Sequence, residues 1–267
     1  MALDNPGFRP FDEGLLRRIE DAGLNASAPA QQRWVDGWLV RFNPGKAKRA
    51  RCIQAVAPGA RPVADKLAEC LALYRCHGLP PLARITPYSA PADLDATLAA
   101  LGWRLEDESL VMVLADLHGP VGTAARAWRG ATPPGLTETV EGPQAYAQAV
   151  GMLRGSPPEE IAAHAERLRT SPVPYTGVVW RAADGAVQAC AQVAVEGDLA
   201  GLYDVATAAA ARGRGLATAL CSGLLERAVG QGARSAYLQV DAGNTPALQV
   251  YRRLGFAEAY GYHYRTL

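Results

Sequence analysis

The sequence predicts an α/β protein built from two domains, and two observations support that prediction. The chain has 267 residues, of which 49% are hydrophobic, enough for two units that each bury a core. Strand and helix patterns alternate in both halves, on either side of a cluster of glycine and proline between residues 117 and 135. We therefore place one domain at residues 1–125 and the other at residues 131–267.

The first half alternates helices and strands but lacks a glycine-rich turn. Helical patterns cover residues 14–23, 63–74 and 92–101, and strand patterns cover residues 34–42, 51–56, 82–86 and 103–114, the last as a strand or a hairpin. Residues 57–62 follow a strand but contain Pro58 and Pro62, which have no N–H to offer a phosphate. We therefore expect no cofactor in this half.

The second half is predicted to contain ten elements in the order β-α-α-β-β-β-α-β-α-β. The strands lie at about residues 136–141, 175–181, 186–195, 199–206, 235–240 and 256–264, the last as one strand or two. The helices lie at about residues 144–153 and 157–169, from the loop after residue 206 to about residue 229, and between Asn244 and Gly255. Ser156 and Glu159 have the spacing of a capping box at the start of the second helix.

The most informative segment joins a strand to a helix at residues 207–217, with the sequence Thr-Ala-Ala-Ala-Ala-Arg-Gly-Arg-Gly-Leu-Ala. The first N–H groups of a helix lack partners within the helix, and the helix dipole adds positive charge there. Gly213 and Gly215 allow a ligand to approach the backbone closely. Arg212 and Arg214 supply positive charge that suits phosphate. The segment therefore predicts a site for a phosphorylated cofactor.

The spacing within this segment narrows the choice of cofactor. It contains no Walker phosphate loop, and Thr218 stands where a dinucleotide fingerprint needs its third glycine or alanine. The order Arg212-x-x-Gly215-x-Ala217 instead resembles the Arg/Gln-x-x-Gly-x-Gly/Ala signature of the GCN5-related N-acetyltransferases, which bind the pyrophosphate of acetyl-CoA. The four alanines at residues 208–211 depart from the family, where proline and larger side chains are common.

A second motif strengthens the resemblance. The run Asn244-x-x-Ala247-x-x-x-Tyr251-x-x-x-Gly255-Phe256 is similar to the closing motif of the same family, and it follows the first motif at a plausible distance. The resemblance covers residues 131–267. It implies a mixed α/β (α+β) fold of two such domains, each a central, mostly antiparallel sheet flanked by helices, with the first domain a degenerate copy.

The resemblance also implies roles for individual residues. The pyrophosphate would lie on the backbone of Arg212, Gly213, Arg214, Gly215, Leu216, Ala217 and Thr218. The preceding strand would pair with the pantetheine arm through Val205 and Thr207. Tyr251 would protonate the departing thiolate, although a tyrosine on the apolar face of a helix is also typical of a core residue. Asn244 is predicted to cap its helix and to contact the cofactor.

The base that deprotonates the acceptor is left open by the sequence. Free alkylamines are mostly protonated at neutral pH, so a group that removes a proton is expected. Glu196 and Asp204 lie beside or on the central strand and are the two candidates, although Asp204 has an ion pair with an arginine as its alternative role. A chain of water molecules, His164 and His263 are further alternatives.

The function implied by the resemblance is transfer of an acetyl group from acetyl-CoA to a primary amine of a small molecule or peptide, by direct attack in a ternary complex. A non-catalytic module that senses acetyl-CoA or CoA is the alternative, and Thr218 disfavours a nucleotide-dependent oxidoreductase. A net charge of +1 predicts no nucleic-acid partner. We expect a monomer or homodimer.

Cysteine usage and hydropathy predict the setting in which the protein works. The five cysteines have no metal-type spacing, which predicts reduced thiols and no metal site. The absence of an apolar run of spanning length predicts no membrane association, and the polar N-terminus predicts a cytoplasmic protein.

Overall fold

The computed structural model describes residues 11–127 and 132–267, and in these residues it contains eight α-helices and eleven strands. The helices are α1 Glu13–Ala26, α2 Val63–Cys76, α3 Leu94–Ala100, α4 Pro120–Ala127, α5 Pro143–Arg154, α6 Pro158–Arg169, α7 Leu216–Gly230 and α8 Thr245–Arg253. The strands are β1 Gln31–Val35, β2 Trp38–Phe42, β3 Ile53–Gln54, β4 Leu82–Ile85, β5 Arg104–Leu114, β6 Leu136–Glu141, β7 Tyr175–Ala182, β8 Val187–Glu196, β9 Leu199–Thr207, β10 Ser235–Asp241 and β11 Ala257–Thr266.

All eleven strands belong to one sheet, in the order β1-β2-β3-β4-β11-β5-β10-β9-β8-β7-β6. Two neighbouring pairs, β3–β4 and β9–β10, are parallel, and the other pairs are antiparallel. β11 lies between β4 and β5, and β5 lies between β11 and β10. Each half therefore places its last strand next to strands of the other half. The predicted fold class is confirmed, and the two halves share a single sheet.

The element order of the second half is confirmed from β6 to β11. The first half repeats part of this order, since α1, β1–β3, α2, β4, α3 and β5 follow one another as α6, β7–β9, α7, β10, α8 and β11 do. The closing segment is one strand, β11, and residues 104–114 also form one strand, β5.

Two local predictions are wrong, and one helix was not predicted. Residues 34–42 are not one strand, because Asp36 and Gly37 take φ values of 42° and 85° and turn β1 back onto β2 as a hairpin, as a two-residue loop with positive φ does. The glycine- and proline-rich segment between the halves contains the helix α4. α6 begins after Pro157 without a side-chain cap, so the predicted capping box of Ser156 and Glu159 does not form.

The buried residues form separate clusters on the two faces and ends of the sheet. One cluster packs α7 and α8 against β8–β10, and another packs α2 and α3 against β2–β4. A third cluster joins the halves, since α1 contributes Ile19, β5 contributes Val111, and β11 contributes Tyr260 and Tyr262. Within the described part of the chain, the helices are too short or too polar to cross a membrane.

Candidate active site

The loop between β9 and α7 presents an open backbone surface. Gly213 and Gly215 have φ values of 75° and 77°, in the left-handed region that favours glycine. No atom lies within 4 Å of the position that a Cβ would occupy on either residue, beyond their chain neighbours. The preceding alanines at 209–211 form a 3-10 turn. Nothing therefore blocks a ligand from approaching the loop.

The same loop carries unpaired donors at the positive end of α7. Among the described residues, the backbone N–H groups of residues 213–218 donate to no carbonyl in a turn or loop. Residues 212–215 are exposed, whereas Leu216 and Thr218 are buried beneath the loop and hold it in place. Free N–H groups at a helix start, together with the dipole and two arginines, suit an anion.

The strands that lead to this loop separate before they end. β9 and β10 pair only from Leu199 to Leu202 and from Ser235 to Leu238, although both strands continue beyond these residues. The register of β9 against β8 shifts at the same point, where Asp204 has a φ of 53°. The edge of β9 that carries Val205 and Thr207 is therefore free of β10, and an extended ligand can add there as a strand.

A cavity of about 580 Å³ opens beside the separated strands. One side is formed by α5, α6 and the bulged part of β9, which belong to the second half. The other side is formed by residues 43–49, β5 and β11, so the first half closes the cavity. A volume of this size suits a small-molecule site.

Asp204 lies in the cavity wall as a partly buried, ionised carboxylate. Its Oδ1 is 2.9 Å from Nη1 of Arg154, and its Oδ2 accepts a hydrogen bond of 2.7 Å from Nε2 of Gln192 and lies 3.1 Å from Nε2 of His164. Burial alone raises the pKa of Asp204, but the neighbouring His164 and Arg154 outweigh it and hold the pKa well below its usual value. An acid this strong is a weak base, so Asp204 is better suited to holding charge than to taking up a proton.

Tyr251 is buried in α8, where its ring packs edge-on against Phe256 at a centroid distance of 6.3 Å. Burial raises the pKa of its hydroxyl above the usual value, with Arg154 acting in the opposite direction. The hydroxyl therefore stays protonated at neutral pH, which is the state a proton donor needs. Asn244 caps α8, because its Oδ1 accepts from the backbone N of Ala247 at 3.2 Å.

Of the remaining candidate bases, the structure places His164 in the cavity lining and the other two outside it. Glu196 lies at the turn between β8 and β9, where its Oε1 accepts from Nδ2 of Asn25 at 2.7 Å, and it is not among the residues that line the cavity. His263 pairs with Asp95 at 2.8 Å, also outside the cavity. His164 does line the cavity and lies against Asp204.

Sequence reasoning missed most of the charged residues that line the cavity, among them Arg49 and Glu160. Glu160 precedes His164 by one helical turn on α6, a spacing that places the two side chains on the same face of the helix. This spacing was a signal in the sequence that Glu160 neighbours His164. Arg49 belongs to the first half and reaches the cavity only through the shared sheet, so no local pattern indicates it.

Comparison with known proteins gives consistent matches over nearly the whole chain. Residues 14–265 match the family described as "Probable histone acetyltransferase Rv0428c C-terminal". The chain is 28% identical over 255 residues to the "Uncharacterized N-acetyltransferase YobR" of Bacillus subtilis (strain 168), covering 94% of this chain and 98% of that protein.

Two solved structures illustrate the likeness of fold. A GCN5-related N-acetyltransferase from Kribbella flavida superimposes with a TM-score of 0.64 at 18% identity, covering 96% of each chain. A tandem acetyltransferase of the same family from the clavulanic acid biosynthesis pathway superimposes with a TM-score of 0.61 at 19% identity, covering 76% of this chain and 69% of that one.

Proposed function

This chain belongs to the family of GCN5-related N-acetyltransferases, and on that premise we propose that it transfers an acetyl group from acetyl-CoA to a primary amine of a small molecule or peptide, by direct attack in a ternary complex. The observation that supports the proposal is that three features lie next to one another along β9. The open loop before α7, the unpaired edge of β9 and the cavity beside Asp204 lie in the order in which phosphate, extended arm and acceptor would be needed.

The chain's own backbone supplies the cofactor contacts in this proposal. The N–H groups from Gly213 to Thr218 and the side chains of Arg212 and Arg214 bind the pyrophosphate. Val205 and Thr207 bind the pantetheine arm along the free edge of β9. Thr218 contributes its N–H rather than its hydroxyl, because its side chain is buried. Acetyl-CoA, when bound, supplies the activated acetyl thioester.

Three side chains and one backbone N–H then serve the transfer. His164 accepts the proton of the acceptor ammonium, and the ionised Asp204 orients the His164 ring and stabilises the positive charge that it gains. A backbone N–H of β9 near Val205 polarises the thioester carbonyl as negative charge develops on it. Tyr251, whose hydroxyl is protonated at neutral pH, donates its proton to the departing thiolate of CoA, and the phenolate is reprotonated by the proton that the amine nitrogen loses as the amide forms.

Ligand-dependent stability tests the choice of cofactor. Acetyl-CoA at about 100 times its dissociation constant should stabilise the protein by about 2.7 kcal/mol, which raises the melting temperature by several degrees. NADH and ATP at the same concentration should leave it unchanged. Stabilisation by NADH or ATP but not by acetyl-CoA would contradict the proposal.

Release of free thiol from acetyl-CoA in the presence of amines tests catalysis. The Tyr251→Phe variant should still be stabilised by acetyl-CoA but should release thiol roughly 100-fold more slowly, the range expected for loss of a general acid. If the wild-type protein binds acetyl-CoA and releases no thiol with any amine, a sensing module is the better description.

A further inference from the structure

We propose that the acceptor amine carries a carboxylate and that Arg49 binds this carboxylate inside the cavity. The inference rests on the proposed function, because it takes the cavity beside Asp204 as the acceptor site. Arg49 follows β2 in the first half and lines the cavity wall opposite α6.

The Arg49 guanidinium acts on the carboxylate of Glu20 only from a distance, helping to lower the pKa of that group. Among the described residues Arg49 takes part in no ion pair, and its Nη1 is fully buried without a hydrogen-bond partner. Its Cζ lies 5.8 Å from the centroid of the Tyr203 ring, a contact that stabilises a cation only modestly. A buried guanidinium without an acceptor is costly, and an anionic ligand in the cavity would remove that cost.

Three of the other cations around the cavity are paired or solvated, and the fourth, Arg167, is buried with a single hydrogen bond to a neutral group. Nζ of Lys48 lies 2.9 Å from Glu106 and 2.5 Å from Asp107, and Arg154 is paired with Asp204. Arg167 lies 3.5 Å from the Tyr175 hydroxyl and adds to the charges that keep Asp204 ionised. Lys46 is exposed at the mouth.

One unpaired guanidinium matches a carboxylate better than a phosphate. Its planar pair of donors fits the two oxygens of a carboxylate, and its single charge balances that of one carboxylate group. A doubly charged phosphate would draw on a second cation, and the other guanidinium without an ion pair, Arg167, lies against Tyr175 and near Asp204 instead.

The opposite wall of the cavity is suited to the amine. Oε2 of Glu160 is buried without a partner, and Glu160 lies one helical turn from His164, next to Asp204. Glu160 therefore adds negative charge at the place where the ammonium has to give up its proton. The two unpartnered groups, Arg49 and Glu160, together complement a zwitterion, which is the charge pattern of an amino acid.

Binding of reaction products tests the inference without requiring turnover. The CoA-loaded protein is titrated with a set of N-acetylated amino acids and with the matching N-acetylated amino amides, in which the carboxylate is replaced by a neutral group. At least one acid should bind roughly 10-fold more tightly than its amide, as expected for a charge-assisted pair. N-acetylated phosphoethanolamine serves as the phosphate arm.

Three variants locate the effect. Arg49→Met keeps the length of the side chain and should abolish the preference for acid over amide, whereas Lys46→Met removes a cation from the same loop and should preserve it. Arg49→Lys, which retains the charge, should keep part of the preference and guards against misfolding of the methionine variant.

Three results would overturn the inference: equal or undetectable binding of acids and amides to the wild-type protein, a preference that survives Arg49→Met, or selective binding of the phosphate compound. Failure of CoA itself to stabilise the wild-type protein would instead contradict the proposed function, so the two failures are distinguishable.

Discussion

Asp204 keeps its negative charge inside the cavity wall because His164 and Arg154 outweigh the effect of burial on its pKa. A pKa that is lowered on folding contributes stability above the unfolded-state value near ~4, and that stability is lost as the pH falls through the folded value. Asp204 is therefore ionised throughout the neutral range and has little tendency to accept a proton. This moves the role of base from Asp204, one of the two candidates from the sequence, to its neighbour His164.

Substitution of His164 tests that assignment. His164→Gln should lower kcat by roughly 100-fold or more, because a positioned base typically contributes that much, while acetyl-CoA binding is unchanged. The rate of the variant should keep rising with pH towards the pKa of the amine itself, near ~10, where the base is no longer needed. Steady-state kinetics over a pH series measures both effects.

Glu196, the other candidate from the sequence, provides the matched control. It lies at the β8–β9 turn and is bonded to Asn25, roughly 15 Å along the strand from Asp204 at the rise of a β-strand. Glu196→Gln should therefore leave kcat and its pH dependence within about twofold. A large loss in Glu196→Gln together with an active His164→Gln would reverse the assignment.

At the scale of the elements, the start of α7 depends on the left-handed conformation of Gly215. A β-branched residue has space there but must adopt a φ of 77°, which costs about 1–3 kcal/mol or forces the loop to change shape. Gly215→Val should therefore weaken acetyl-CoA binding by roughly 10-fold or more, through misplaced N–H donors and a side chain in the approach path. Isothermal titration measures the change.

Gly78 offers a control with the same backbone strain at a distant position. It follows α2 with a φ of 62° and nothing within 4 Å of its Cβ position. Gly78→Val should lose a similar amount of stability to Gly215→Val but bind acetyl-CoA as the wild-type protein does. Equal loss of binding in both variants would mean that strain, and not the loop, is responsible.

Elements with local signals could be predicted from the sequence. The central strands of the second half are mostly apolar runs, and Asn244 caps α8 as expected, so most bounds agree within a residue or two. The β1–β2 hairpin was missed, although Asp36-Gly37 is a typical two-residue turn signal, because the residues on either side form one apolar run. The helix α4 was not predicted because the glycine and proline residues around it are typical of a linker.

At the scale of the whole molecule, the candidate site depends on contacts that no local pattern encodes. The β9–α7 loop could be proposed as a phosphate site from the sequence alone because its residues are consecutive. Arg49 and Glu160 are far apart in sequence and line one cavity only because β5 and β11 join the two halves in one sheet. The pairing of Lys48 with two carboxylates, which takes it out of competition with Arg49, likewise depends on β5, since its partners are Glu106 and Asp107.

The shared sheet makes the two halves depend on each other for stability. Without residues 1–127, β11 would lose both of its neighbours, β4 and β5, and β10 would lose its pairing with β5. Tyr260, Tyr262 and Tyr264, which are at most 7% exposed in the intact chain, would be exposed to water. Since burial of an aromatic side chain contributes about 1.5–3 kcal/mol, their exposure approaches the whole stability of a typical domain.

We therefore expect a fragment of residues 132–267 to remain unfolded by itself, although it contains the whole loop between β9 and α7 as well as Tyr251. Co-expression with a fragment of residues 1–131 should restore a soluble complex that acetyl-CoA stabilises, and the intact chain should unfold in one calorimetric transition with equal calorimetric and van't Hoff enthalpies. Near-ultraviolet circular dichroism and scanning calorimetry measure these properties. A separate fragment of residues 132–267 that shows native tertiary signals and binds acetyl-CoA would demonstrate that strand sharing adds nothing essential, and two resolved transitions in the intact chain would lead to the same conclusion.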